Sequence, residues 1–102
     1  MRDEEGGASP ARIREAGRED IAQILALIRE LAVYENLADQ VVATEDLLSE
    51  SLFGDVAIAE AFLADVDGAT VGFALFFQTF STFLARPGIY LEDLFVRPAH
   101  RG

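Results

Sequence analysis

The stretch AEAFLADVDGATVGFALFFQT, residues 59–79, decides the fold. Two apolar runs flank Asp67-Gly68, a dipeptide that favours a tight turn between antiparallel strands. In the second run, from Ala69 to about Thr79, alternate apolar residues share one face of a strand: Val71, Phe73, Leu75 and Phe77. The stretch therefore predicts a β-hairpin with one apolar face.

Upstream of the hairpin the hydrophobic period is that of helices. Apolar residues three and four apart predict an amphipathic helix over residues 18–35. Its apolar stripe consists of Ile21, Ile24, Leu25, Ile28, Leu31 and Ala32. Thr44 is the predicted N-cap of a second helix, which ends with Gly54 at C′. The alternation of Arg12–Ala16 predicts a short strand before both helices.

Downstream, residues 80–88 are predicted to form a loop and residues 89–96 a third strand that ends at Arg97-Pro98. The predicted order is strand, helix, helix, strand, strand, strand, which is an α+β arrangement with helices against an antiparallel sheet. We expect residues 1–10 to be a disordered lead-in and residues 11–102 to form one domain.

Composition limits the function. The 102 residues include no cysteine and one histidine, so we expect no metal site. The net charge of −10 disfavours nucleic acid and anionic membranes as partners, because both need a positive field. The start has no apolar signal region and no later apolar run has the length of a membrane span, so we expect a cytoplasmic protein.

Two motifs carry a resemblance to a known family. IRELAVYE, residues 28–35, and YLEDLFVRP, residues 90–98, followed by Arg101-Gly102, are similar to the GNAT superfamily of N-acetyltransferases. Within that superfamily the sequence most resembles the diamine (spermidine/spermine) and thialysine acetyltransferase group. Matching segments at residues 44–48 and 72–74 extend the resemblance over residues 12–102.

The resemblance implies the N-terminal part of the GNAT fold. The family's phosphate loop reads Gln/Arg-x-x-Gly-x-Gly/Ala, and Arg101-Gly102 match its first two positions. We therefore expect the chain to be an N-terminal fragment that lacks the C-terminal half of the fold. The family's tyrosine that protonates the leaving thiolate would lie in that half, and no residue of this sequence is assigned to its role.

The implied activity is transfer of an acetyl group from acetyl-CoA to a primary amine of a polyamine or a small amino-acid-like substrate, in a homodimer. Glu92 is the implied proton acceptor. The implied substrate-binding residues are Tyr34, Glu35, Glu92 and Asp93. The implied cofactor-binding residues are Leu94, Phe95 and Val96 through backbone atoms, with Arg101 and Gly102 at the phosphates.

Each of these residues also has a purely structural interpretation. Glu92 is then an exposed carboxylate, a Tyr-Glu pair at a helix end is ordinary surface, and an apolar triplet in a strand is core. Phe80 and Phe83 either wall the acceptor pocket or belong to the core. The alternative function is a non-catalytic acidic module that binds cations or a protein partner.

Overall fold

The chain forms a four-stranded antiparallel sheet with two helices packed on one of its faces. The computed structural model describes residues 10–101; residues 1–9, where most of the lead-in was predicted, and Gly102 lie outside the described residues. The elements are β1 (Arg12–Glu15), α1 (Ile21–Tyr34), α2 (Glu45–Phe53), β2 (Glu60–Val66), β3 (Ala69–Ser81) and β4 (Arg86–Val96). The strands lie in chain order, β1-β2-β3-β4, and short 3-10 turns precede α1 and follow α1 and β4. The predicted α+β order is confirmed.

The start of α1 is anchored to the sheet by Arg14. Its guanidinium donates to both carboxylate oxygens of Asp20, at 2.9 and 3.0 Å, and to Asp65 in β2 at 2.7 Å. Asp20 also accepts from the Gly17 N–H at 2.8 Å, and Thr70 donates to Asp65 at 2.8 Å. These hydrogen bonds connect β1, the start of α1 and the hairpin. Each oxygen of the Asp20 and Asp65 carboxylates accepts from a donor.

The second helix begins where the sequence predicts. The Thr44 side chain accepts a hydrogen bond from the Leu47 N–H at 3.2 Å, which satisfies one of the free donors of the first turn. Gly54 follows Phe53, but its φ of −74° is extended rather than left-handed. Gly54 thus ends the helix one position earlier than the predicted C′, as the C-cap, and the chain continues directly into an extended segment.

The Asp67-Gly68 turn is confirmed. Both residues have positive φ, 52° and 82°, as a two-residue hairpin turn of the favoured hand requires. β3 runs two residues beyond the predicted Thr79, and Val71 lies at a register shift between β2 and β3. Val71 is buried as expected, although it is the extra residue of a β-bulge.

The predicted loop over residues 80–88 is too long. Strands β3 and β4 continue to pair up to Ser81 and Arg86, so only residues 82–85 connect them. Pro87 is tolerated within β4 because this strand is at the edge of the sheet, where a proline costs no ladder hydrogen bond on its outer side. The end of the hairpin extends beyond β2 as a two-stranded arm, and its Phe83 is 99% exposed.

The core lies between the helices and one face of the sheet. It contains Ile21, Ile24, Leu27, Leu52, Ala61, Leu63, Phe73 and Phe95. Leu27 is fully buried although it lies outside the predicted stripe, because α1 is covered over a wider face than the stripe suggested. The opposite face of the sheet is apolar and has no helix over it among residues 10–101; it includes Ile13, Phe62, Ala64, Ala74, Leu94 and Val96.

None of the helices described between Pro10 and Arg101 is long and apolar enough to cross a membrane.

Candidate functional site

The pairing of β4 with β3 is interrupted at Glu92. Asp93 lies opposite Leu75 and Leu91 lies opposite Phe76, so Glu92 is the extra residue of a β-bulge. Residues in a regular strand alternate between faces, and one extra residue reverses that alternation. Asp93 and Leu91, two residues apart, therefore lie on opposite faces of the sheet.

The reversal determines which side chains meet. Asp93 shares the helix-facing side with Leu75, which packs against the core. Leu91 shares the opposite side with Phe76, whose ring lies 5.4 Å from that of Phe62. Glu92 itself is exposed. In a regular strand Leu91 and Asp93 would lie on the same face of the sheet. The bulge therefore determines the surroundings of Glu92 and Asp93.

Alternate backbone groups of β4 face the outer edge of the sheet, where the Val96 carbonyl accepts from Arg101. The Arg97 N–H donates to Val71 in β3 at 2.8 Å, and the pairing runs in register from there back to Asp93. Backbone groups of an antiparallel edge strand point alternately toward and away from the neighbouring strand. Those of Phe95 therefore point to β3, whereas those of Leu94 and Val96 point to the outer edge.

Three carboxylates lie where α1 ends beside the bulge. The helix is closed by Asn36 in the left-handed region, with φ of 61°, and by a hydrogen bond from the Leu37 N–H to Ala32 at 2.7 Å. This closure places Glu35 near the sheet. Burial raises the pKa of Asp93, and the nearby carboxylates of Glu92 and Glu35 raise that pKa further.

This acidic cluster, Glu35, Glu92 and Asp93, is electrostatically unfavourable without a cation. Like charges repel, and Glu35 lies at the negative end of the α1 dipole. None of the ion pairs found within residues 10–101 involves these three carboxylates. The arrangement therefore suits a positively charged ligand, since a protonated amine would relieve the repulsion.

The other side of the same helix end is aromatic. The Tyr34 ring meets the Phe95 ring edge-on at 6.4 Å between centroids, and the Arg101 guanidinium lies over both rings, at 4.7 and 5.3 Å. Below them is an apolar cleft of about 400 Å³. It is lined by Arg29, Glu30, Val33, Tyr34, Phe95 and Pro98.

Arg97 is held by α1 and β3. Its Nε and Nη2 donate to the two oxygens of Glu30, at 2.9 and 2.8 Å, and its Nη1 donates to the Thr70 carbonyl at 3.1 Å. A bidentate pair of this kind fixes orientation as well as charge. This pairing was not predicted from the sequence, where the polar position of Glu30 on an amphipathic helix is its only signal.

The structure brings the predicted site residues into two groups. Glu35, Glu92 and Asp93 form the acidic cluster, whereas Tyr34 lies with Phe95 and Arg101. Leu94 and Val96 are on the open face and Phe95 is on the helix-facing side. Phe83 projects from the arm into solvent and is absent from the lining of the cleft.

Comparison with known proteins places this geometry in context. No family model matches the chain. The sequence is 41% identical to the thialysine N-epsilon-acetyltransferase of Bos taurus over 98 residues, which is 88% of this chain and 57% of that protein. It is 35% identical over 88% of its length to the spermidine/spermine N(1)-acetyltransferase-like protein 1 of Homo sapiens, of which it covers 14%.

Solved structures share the fold. The ribosomal-protein-alanine N-acetyltransferase of Brucella melitensis biovar Abortus 2308 matches with a TM-score of 0.67 at 25% identity, over 91% of this chain and 61% of that one. An aminoglycoside acetyltransferase from an uncultured soil metagenomic sample matches with a TM-score of 0.71 at 20% identity, over 90% and 61% of the two chains.

The chain thus spans less than two thirds of the length of each of these relatives. Within that span, strand order, helix placement and sequence agree with the N-terminal portion of the acetyltransferase fold. The chain is accordingly similar to GNAT acetyltransferases of the diamine and thialysine kind.

Proposed function

We propose that this chain takes part in the transfer of an acetyl group from acetyl-CoA, the acetyl donor of GNAT acetyltransferases, to a primary amine. The acceptor is a polyamine or a small amino-acid-like amine such as thialysine. The observation that carries the proposal is the bulge at Glu92, which places an acidic cluster on one side of β4 beside the free backbone edge of the same strand.

The acidic cluster is the proposed acceptor site. Its carboxylates, on Glu35, Glu92 and Asp93, would attract the ammonium groups of a diamine, and the protonated ends of a longer polyamine would relieve their repulsion. Tyr34 borders this site from α1. The names of the relatives, thialysine and spermidine/spermine acetyltransferases, support an acceptor with more than one amine.

The outer edge of β4 is the proposed donor site. The backbone groups of Leu94 and the N–H of Val96 would pair with the amides of the pantetheine arm as with another strand, whereas the Val96 carbonyl accepts from Arg101. The Leu94 N–H would then polarise the acetyl carbonyl, and the Phe95 backbone would keep β4 paired with β3. Arg101 and Gly102 would begin the phosphate-binding segment.

The chemistry needs few groups. The neutral amine attacks the acetyl carbonyl carbon, the resulting oxyanion is stabilised by a backbone N–H, and the C–S bond breaks to release the CoA thiolate. The nitrogen loses one proton, which Glu92 accepts directly or through a water. An exposed carboxylate at a bulge suits this role because water can carry the proton away.

The test is a calorimetric titration of the purified chain with acetyl-CoA, followed by mass spectrometry of thialysine and spermidine after incubation with both substrates. We expect micromolar binding and an acetylated product. Glu92→Gln should lower the rate of product formation at least about tenfold while acetyl-CoA binding stays within about twofold, since general-base catalysis contributes 10²–10⁴-fold.

Glu60→Gln is the matched control, because Glu60 is an exposed carboxylate on β2, separated from Glu92 in β4 by the intervening strand β3. Unchanged turnover in Glu92→Gln would refute the role of Glu92. Absence of acetyl-CoA binding by the unmodified chain would refute the donor site on this chain and favour the acidic module.

A further inference from the structure

The segment that follows β4 is held against α1 at two points. At the first, the Arg97 guanidinium forms its bidentate pair with Glu30. At the second, four residues later, Arg101 lies over the Tyr34 ring at 4.7 Å and its Nε donates to the Val96 carbonyl at 2.6 Å. The 3-10 turn at Pro98–His100 redirects the chain so that the Arg101 side chain reaches Val96, the last residue of β4.

We propose that Tyr34 is a positioning residue whose ring, through Arg101, sets the place where the phosphate-binding segment begins. This inference rests on the proposed function, because it assigns a role in acetyl-CoA binding. It differs from the acceptor role implied by the resemblance, since the Tyr34 ring face meets Arg101 rather than a substrate amine.

The contacts of Arg101 explain why its position matters. Val96 is one of the two residues whose backbone groups face the outer edge of β4. Its carbonyl accepts a hydrogen bond from the Arg101 Nε. The N–H of Leu94 is left as an outward donor further along the strand. Arg101 therefore sets the end of the edge along which a bound molecule can pair with β4.

The ring under Arg101 restrains a side chain that is otherwise exposed. A guanidinium over two aromatic faces is stabilised by cation–π attraction, and while Nε donates to the Val96 carbonyl its two Nη groups can meet an anion. Tyr34 also precedes Glu35 of the acidic cluster. A shift of the helix end would thus move the acceptor and donor sides together.

The test compares Tyr34→Leu with Tyr34→Phe, which keeps the ring and removes the hydroxyl. NMR of the Arg101 side chain reports stacking directly, because protons over an aromatic face are shifted upfield. We expect the full upfield shift in the unmodified chain and in Tyr34→Phe, and a clearly smaller shift in Tyr34→Leu, where only the Phe95 ring remains under Arg101. An unchanged Arg101 shift in Tyr34→Leu would overturn the proposal, since the ring would then not hold Arg101.

Acetyl-CoA titration of the same proteins gives the functional result. We expect Tyr34→Leu to bind about fivefold more weakly than the unmodified chain and Tyr34→Phe to bind equally, as loss of one cation–π contact predicts. Equal binding by Tyr34→Leu would overturn the positioning role. Binding by none of the three proteins would overturn the proposed donor site, and the NMR result separates that failure from the failure of the stacking.

Discussion

Both faces of the sheet carry apolar side chains, but the two faces differ in what covers them. On the helix-facing side Leu63 and Phe73 are 1% and 2% exposed, whereas on the open side Leu94 and Ile13 are 64% and 65% exposed. The helices are amphipathic and bury one stripe each, so they cover one face and leave the other in water within residues 10–101. Apolar composition therefore does not reveal burial in this chain.

The largest expected effect contrasts one leucine from each face. Leu63→Ala should lower the free energy of unfolding by about 2–5 kcal/mol, because it leaves a cavity in the core. Leu94→Ala should change it by less than about 0.5 kcal/mol, as is usual at exposed positions. Urea denaturation at low protein concentration measures both.

Equal losses of stability in Leu63→Ala and Leu94→Ala would contradict the difference in burial between the two faces. If the loss of stability in Leu94→Ala also grows with protein concentration, a second copy of the chain covers the open face.

A smaller effect distinguishes two carboxylates on the helix-facing side. Asp65 accepts from Arg14 and Thr70, which lowers its pKa, whereas burial and its acidic neighbours raise the pKa of Asp93. Asp65→Asn should therefore lower stability at pH 7 by about 1 kcal/mol. Asp93→Asn should raise it by about 0.5 kcal/mol because it removes a repelled charge.

The pH dependence of the two carboxylates has opposite signs. The contribution of Asp65 is present above the ordinary aspartate pKa of about 4 and is lost as the pH falls through its lowered value. That of Asp93 is present below pH 4 or so and is lost as the pH rises through its raised value. Denaturation midpoints from pH 3 to 7 for both variants provide the measurement, and shifts of the same sign would contradict the assignment.

The smallest expected effect on stability concerns the open face alone. Replacement of Ile13 and Leu94 by glutamine should reduce fluorescence of the hydrophobic dye ANS, since both side chains contribute to one exposed apolar surface. The free energy of unfolding should change by no more than about 0.5 kcal/mol per substituted site. Phe83→Gln is the control, because Phe83 is isolated at the end of the arm; an equal loss of fluorescence there would refute a distinct dye site on the open face.

Local patterns predicted most of the elements. The period of α1, the Thr44 cap and the Asp67-Gly68 turn depend on neighbouring residues, and all three are confirmed. The interpretation of 80–88 as a loop failed because Pro87 and Gly88 normally interrupt strands, while pairing with β3 at an edge keeps them extended. The structural interpretation of Leu94, Phe95 and Val96 as core holds only for Phe95, the one buried residue of β4.

The candidate site was predictable as a motif but not as an arrangement. The motif YLEDLFV identified the residues. The faces on which Leu91 and Asp93 lie, however, depend on the bulge at Glu92, which arises from the pairing of β4 with β3. Likewise, Tyr34 and Arg101 are 67 residues apart in the sequence, and no local pattern indicates that they stack.

By itself, then, the sequence determined the helices, the hairpin and the motif that resembles an acetyltransferase, because propensity, capping and turn chemistry act over a few residues. Only the tertiary structure decided which face of the sheet the helices cover, where β4 shifts register and which aromatic ring holds Arg101. These outcomes depend on contacts between residues distant in the chain, whose free energies become available only once the strands are paired and the helices are packed.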